Sequence, residues 1–286
     1  MKIFTIWAKY EQLMRVPIEF QNWQPVKFGN EVYTFIGGSN QSYEDALSKA
    51  VAKADIVSAR IEGKRIPSKP HYYEVEIREE IIATIDEKNI ITRNRYGALV
   101  LNSQNVMSID IDSDYFLQAT ARRGLRKLFK FIFGISESDP DILSQIEKII
   151  KRLDSPLTFR IYQTFAGYRL LVMGHKFEAN HFQTKEYFKI FHSDPLYAHL
   201  CFKQNCFRSR LSAKPWRIGL KRKKIIFPFR TETENEEHTI WVRGYHQRAD
   251  QYSVCRFVKQ IGPDCSDKVI DYHDKFCKVH SSLPLA

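Results

Sequence analysis

Two early stretches, Lys2–Lys9 and Val26–Phe35, are rich in aromatic and β-branched residues and are expected to be extended, with Pro17 and Pro25 between them. Gly37–Gly38 makes a turn, and from Ser42 the apolar spacing lengthens. Ala46, Leu47, Ala50, Ala54 and Val57 then fall on one helical stripe. Ser42 with Asp45 resembles a capping box, and Gly63 closes the far end. Together these predict a small β-β-α unit over residues 1–75, whose last part, 64–75, is a basic, proline-bearing connection. A helix is expected over Glu76–Glu87.

A core with an acidic strand and a basic segment is expected over residues 76–250. Tyr96–Tyr115 reads as a strand, a turn at Asn102–Asn105 and a second strand, Val106–Ile111. Residues 115–134 read as a basic amphipathic helix and Asp141–Leu153 as another. Leu157–Met173 alternates around Phe165-Ala166-Gly167, a hairpin signal. Helices follow over 178–193 and from Pro195, a residue favoured at the first helical position. Residues 225–230 and 239–244 read as short strands around an acidic loop, and 251–286 as a helical tail packed on the core. The class is therefore α+β: a mixed or antiparallel sheet covered by helices, with the small N-terminal β-β-α unit.

Composition narrows the partners. The 286 residues carry a net charge of +11, which favours an anionic partner: nucleic acid or nucleotide first, an acidic protein or a membrane surface second. No stretch reaches the roughly 20 apolar residues that span a bilayer, and the N-terminus lacks a signal-peptide pattern. Cys201, Cys206, Cys255, Cys265 and Cys277 are an odd, widely spaced set, which suits reduced thiols in a cytoplasm. Structural zinc uses two closely spaced ligand pairs. Cys201 and Cys206 are one pair, while His273, Cys265, Cys277 and His280 form no regular second one.

Candidate chemistry starts with Asp110, Asp112 and Asp114. Side chains of a strand alternate between faces, so the three carboxylates would share one face. Such a set can start a site for Mg²⁺ or Mn²⁺, which take carboxylate and phosphate oxygens. It can equally be a strand end running into an acidic helix N-terminus before Tyr115. Arg93 and Arg95 lie close in sequence, either to orient phosphates or as counter-charges to the aspartates. Arg160 and Arg169 alternate with apolar residues on the hairpin strands. The most basic segment, Arg208–Lys224, carries Arg208, Arg210, Lys214 and Arg217 with Trp216 among them. Dense cations with an interleaved aromatic suit phosphate contacts plus base stacking, and a solvated basic loop has the same composition.

The order of acidic strand, helices, hairpin and basic segment over residues 91–230 resembles the archaeo-eukaryotic primase–polymerase superfamily, whose core is RRM-like. Asp110 and Asp112 match its D-x-D motif. Arg169 stands where its Ser-x-His motif has histidine, and SRLSAKPWRIG occupies the region of its third acidic position. The phrases ITRNRYGALVLN, YQTFAGYRLLVMGHKF and SDPLYAHLCFKQNCFRSRLSAKPWR are similar to a family of bacterial proteins, which implies a shared fold and carries no activity with it. The resemblance to the superfamily implies a divalent-metal-dependent nucleotidyltransferase or nuclease. Asp110, Asp112 and Arg169 would be catalytic, Asp110, Asp112 and Asp114 would hold the metal, and the arginines would bind phosphate. The alternatives are a non-catalytic RNA- or DNA-binding protein and a regulatory subunit that binds an acidic protein.

Overall fold

The structure is a computed structural model that describes residues 1–63, 76–121, 142–229 and 231–286. The connection 64–75 and most of the basic helix expected over 115–134 lie outside the described residues. The chain divides into two compact units, Lys2–Arg78 and Glu79–Ala286, the latter joined by Met1. No described helix is long and apolar enough to cross a membrane.

In the first unit, β1 (Ile6–Gln21) and β2 (Gln24–Ser39) form an antiparallel ribbon. Pro17 does not end β1; the register slips beside it instead. The helix α1 (Tyr43–Ile61) starts as its sequence implies, with the Ser42 hydroxyl accepting from the Asp45 N–H. Ala54 of α1 packs on Met14 and Val16, so one ribbon face is covered at mid-length. Glu76 closes the unit with an ion pair to Lys53.

The second unit contains two four-stranded antiparallel sheets. One has the order β3 (Glu80–Asp86), β4 (Asn89–Arg93), β5 (Leu99–Ser103), β9 (Phe207–Arg210). The other has the order β10 (Cys255–Ile261), β7 (Thr158–Thr164), β8 (Gly167–Met173), β6 (Met107–Asp112). Alternation sorts the second sheet's side chains. Ile109, Ile111, Phe159, Ile161, Leu170 and Val172 face a core shared with α2 (Ser113–Ala121), α3 (Ile142–Leu153), α4 (Phe182–Ile190) and α5 (Pro195–Gln204). Tyr162, Leu171 and Met173 point the other way. They share a second core with Ile91, Leu99 and Leu101 of the first sheet and with Val269, Ile270 and Cys277 of α7 (Lys268–Cys277).

Three expectations are corrected here. Glu80–Asp86 is a strand, not part of a helix, because it pairs along β4. Residues 239–244 belong to α6 (Glu232–Ala249), whose first turns contain the expected acidic loop; Thr231 caps it by accepting from the Glu234 N–H. The tail is not wholly helical: β10 pairs with β7 before α7 begins.

Candidate functional site: a cationic cluster beside Asp110

Strand β6 is an edge strand, and its outer carbonyls are taken by the start of α5. The Ser193 hydroxyl and the Asp194 N–H donate to the Asp110 carbonyl at 2.9 and 3.0 Å, and the Tyr197 hydroxyl donates to that of Ser108 at 2.7 Å. Asp194 in turn caps α5. These bonds cover the edge and fix the backbone from which Asp110 projects.

On the other side β6 pairs with β8, and Asp110 lies opposite Arg169. Arg169 Nε is 3.7 Å from Asp110 Oδ1; the arginine side chain is buried and the aspartate 41% exposed. Burial works against the Arg169 charge, but Asp110, then Cys255 and Cys277, more than offset it and raise its pKa. The β7–β8 turn is held on the same corner, where the Ser113 N–H donates to the Ala166 carbonyl. Gly167 permits this approach: its φ is +158°, and a Cβ there would sit 2.1 Å from the Ile111 carbonyl oxygen.

Asp112 and Asp114 part company at this corner. Asp112 Oδ1 accepts from the N–H groups of Asp114 and Tyr115, so it caps the first turn of α2. Asp114 lies within that turn rather than on the strand, and the expected three-carboxylate face reduces to Asp110 and Asp112. The turn ends the strand's alternation one residue too early for Asp114 to follow. Mg²⁺ or Mn²⁺ needs no third protein carboxylate when phosphate supplies oxygens, so the two remaining acids fit such an ion.

The basic segment arrives by β9 pairing with β5, which sets Arg210 opposite Val100. A short 3₁₀ turn, Pro215–Ile218, follows. Arg210 donates to the Ser212 and Ala286 carbonyls, and its own carbonyl accepts from Arg169 Nη1 at 2.9 Å. Burial pulls the pKa of Arg210, Lys214 and Arg217 below their ordinary values. Repulsion adds to this, from Arg169 on Arg210, from Arg210 and Arg217 on Lys214, and from Arg210 on Arg217; Asp110 opposes it in all three. Arg217 lies over the Phe165 ring at 4.2 Å, and Lys214 and Arg222 lie over Trp216 at 5.6 and 5.8 Å. Trp216 is 46% exposed and meets Tyr96 edge-on at 5.3 Å.

The other expected phosphate ligands are committed elsewhere. Arg93 is buried against Glu80, the Gly97 carbonyl and His246. Arg160 pairs with Asp274 at 2.6 Å and also donates to Tyr162 and Gln260. Both carboxylate oxygens of Glu79 accept from Arg208 at 2.7 Å. These three serve as internal counter-charges to Glu80, Asp274 and Glu79. Arg95 is exposed.

Sequence reasoning missed Phe165, Tyr96 and Asp194. An aromatic at a hairpin turn was the available signal for Phe165; the others are joined to the site only by the fold. It weighed His273 and Cys277 as metal ligands but did not join Cys255 to them. Among the described residues, Cys255, His273 and Cys277 bring ligand atoms within 4.8 Å of one another, all buried. A thiophilic ion suits this donor set. His273 Nδ1 lies 2.9 Å from Asp274 Oδ1, and Arg169 Nη1 already stands 3.3 Å from Nε2, so an ion could enter only by displacing Arg169. A cleft of about 530 Å³ lined by α2, α3 and α4 lies on the sheet's helix-covered side, away from Asp110. Comparisons with protein-family models, curated proteins and solved structures found no match.

Proposed function

We propose that the cluster binds the phosphates of a nucleic acid or nucleotide, with the half-buried Lys214 and Arg217 as the contacts, Arg210 behind them and the exposed Trp216 as a stacking platform. The observation that carries this reading is the charge imbalance. Burial lowers the pKa of Arg210, Lys214 and Arg217, neighbouring cations lower each further (Arg169 on Arg210, Arg210 and Arg217 on Lys214, Arg210 on Arg217), and no described carboxylate pairs with any of them within 4.0 Å. Holding unpaired cations together costs free energy that an anionic ligand would return. Exposed aromatics beside cations suit a single strand, since bases stack whatever their sequence.

The test is anisotropy titration of labelled single-stranded RNA and DNA at several salt concentrations. Each phosphate contact removed lowers the salt slope by about 0.7 on a single strand, so Lys214→Ala/Arg217→Ala together should lower it by about 1.4. Trp216→Ala should cost about 1–3 kcal/mol without changing the slope. Wild-type affinity that is absent, or indifferent to both changes, would sink the proposal.

A second reading adds catalysis, and the partly exposed Asp110 among these cations favours it. Asp110 and the remaining oxygen of Asp112 would hold Mg²⁺ or Mn²⁺ together with a bound phosphate, for nucleotidyl transfer or phosphodiester cleavage. Metal-dependent turnover of oligonucleotides or nucleotides, lost in Asp110→Ala, is the expected result. Binding without turnover returns the reading to a non-catalytic one.

A further inference from the structure

The ribbon of the first unit carries large apolar side chains into solvent. Leu13, Phe20, Trp23, Val26, Phe28 and Val32 are all exposed, Trp23 in the turn at 96%. Leu13 and Val32 lie opposite each other and away from Met14 and Val16, which pack on α1. They are 64% and 62% exposed. Among the described residues each strand of the ribbon pairs only with the other, which leaves each an outer row of backbone donors and acceptors. Long, apolar, open-edged ribbons of this kind are templates for pairing with another strand.

The charges on β1 select the partner. Glu11 lies opposite Thr34 and Arg15 opposite Asn30, so neither finds an opposite charge within the ribbon. Neither has an ion pair to another described residue; Arg15 instead lies over the Phe28 ring at 5.4 Å. We propose that the outer edge of β1 pairs antiparallel with the same edge of a second copy of this chain, about a two-fold axis at Leu13. Each Leu13 then meets its equivalent, and Glu11 of each copy meets Arg15 of the other. Two ion pairs flank one apolar contact on one face, as an isologous interface requires.

Neighbouring registers match less well. An axis at Gln12 sets Lys9 against Arg15. One at Glu11 sets Glu11 against itself, and one at Arg15 sets Glu11 against Glu19. An axis at Met14 joins Lys9 to Glu19 but leaves Arg15 facing Leu13 and Glu11 facing Pro17. Only the Leu13 axis satisfies both unpaired charges. The inference is independent of the phosphate reading, since it uses no residue of that site.

Sedimentation velocity of the full chain over a wide concentration range is the test. The wild type should dimerise reversibly, and Glu11→Arg or Arg15→Glu alone should weaken the dimer at least tenfold by setting like charges together. Mixing the two single variants should restore association as a heterodimer, and the double variant should restore the homodimer. Both positions are on the ribbon surface, so circular dichroism should be unchanged. A wild type that remains monomeric, or a dimer indifferent to the swaps, overturns the proposal. So does a monomer whose ribbon instead binds anionic vesicles or an oligonucleotide.

Discussion

Replacing Tyr162 by Phe tests the network that ties the β10-β7-β8-β6 sheet to α7. The Tyr162 hydroxyl donates to Asp274 Oδ1 at 2.7 Å and accepts from Arg160 Nε at 2.9 Å. Burial first, and Asp274 next, keep the phenol protonated far above its ordinary range. Phenylalanine keeps the ring and its edge contacts to His273 and Phe257, so no cavity of consequence opens. Two bonds to charged groups are lost, each worth about 1.5–3 kcal/mol. Asp274 retains Arg160 Nη2 and His273, and Arg160 retains Gln260, which softens the loss. The expected cost is about 2–3 kcal/mol, or roughly 4–12 °C in Tm for a unit of this size. Urea unfolding followed by circular dichroism reads it as a lower midpoint at constant slope. A change below about 0.5 kcal/mol, the scale of an ordinary surface substitution, would mean that the hydroxyl does not bridge these groups.

Three further outcomes follow from the geometry. Gly167→Ala places a Cβ against the Ile111 carbonyl and should cost about 3 kcal/mol or more, while Gly174→Ala, whose nearest neighbours are 3.6 Å away, should cost only the positive-φ strain of about 1–2 kcal/mol; thermal melts of the pair distinguish them. Glu80 is held below its ordinary pKa by His238 and, against burial, by Arg93. A depressed carboxylate contributes stability that is present above the unfolded value, about 4.3, and lost as pH falls through the folded one, so Glu80→Gln should be less stable than wild type near neutrality and converge with it in acid. Lys214 titrates below its ordinary value in the free protein, and a bound phosphate should raise it. Phosphate affinity should therefore fall as pH rises through the free-protein pKa toward 10.5, and Lys214→Arg should remove that slope.

Local signals carried much of the fold. Ser42 and Pro195 start helices because their capping chemistry is complete within a few residues. The hairpin about Gly167 is legible for the same reason. Glu80–Asp86 misleads because acids interleaved with isoleucines read as an amphipathic helix, and only pairing with β4 decides otherwise. Thr239–Gly244 misleads in the opposite sense, since Ile240, Trp241 and Val242 favour strands locally while a capped helix runs through them. At the site, Asp110, Asp112, Lys214, Trp216 and Arg217 were visible as residue types. Which arginines had acids of their own was not, because Glu79, Glu80 and Asp274 come from elements distant in sequence from Arg208 and Arg160, or folded back on Arg93.

The pairing of β9 with β5 has a consequence for biosynthesis. Val100 finds Arg210 about 110 positions later, an interval of roughly 5–20 s at ordinary translation rates. Through that interval the nascent β5, buried on both sides in the finished protein, has one edge uncovered, a template for pairing with another strand. Arg210, Lys214 and Arg217 join the site only when that edge closes, so a polypeptide truncated before β9 keeps the Asp110–Arg169 pair but lacks the basic segment.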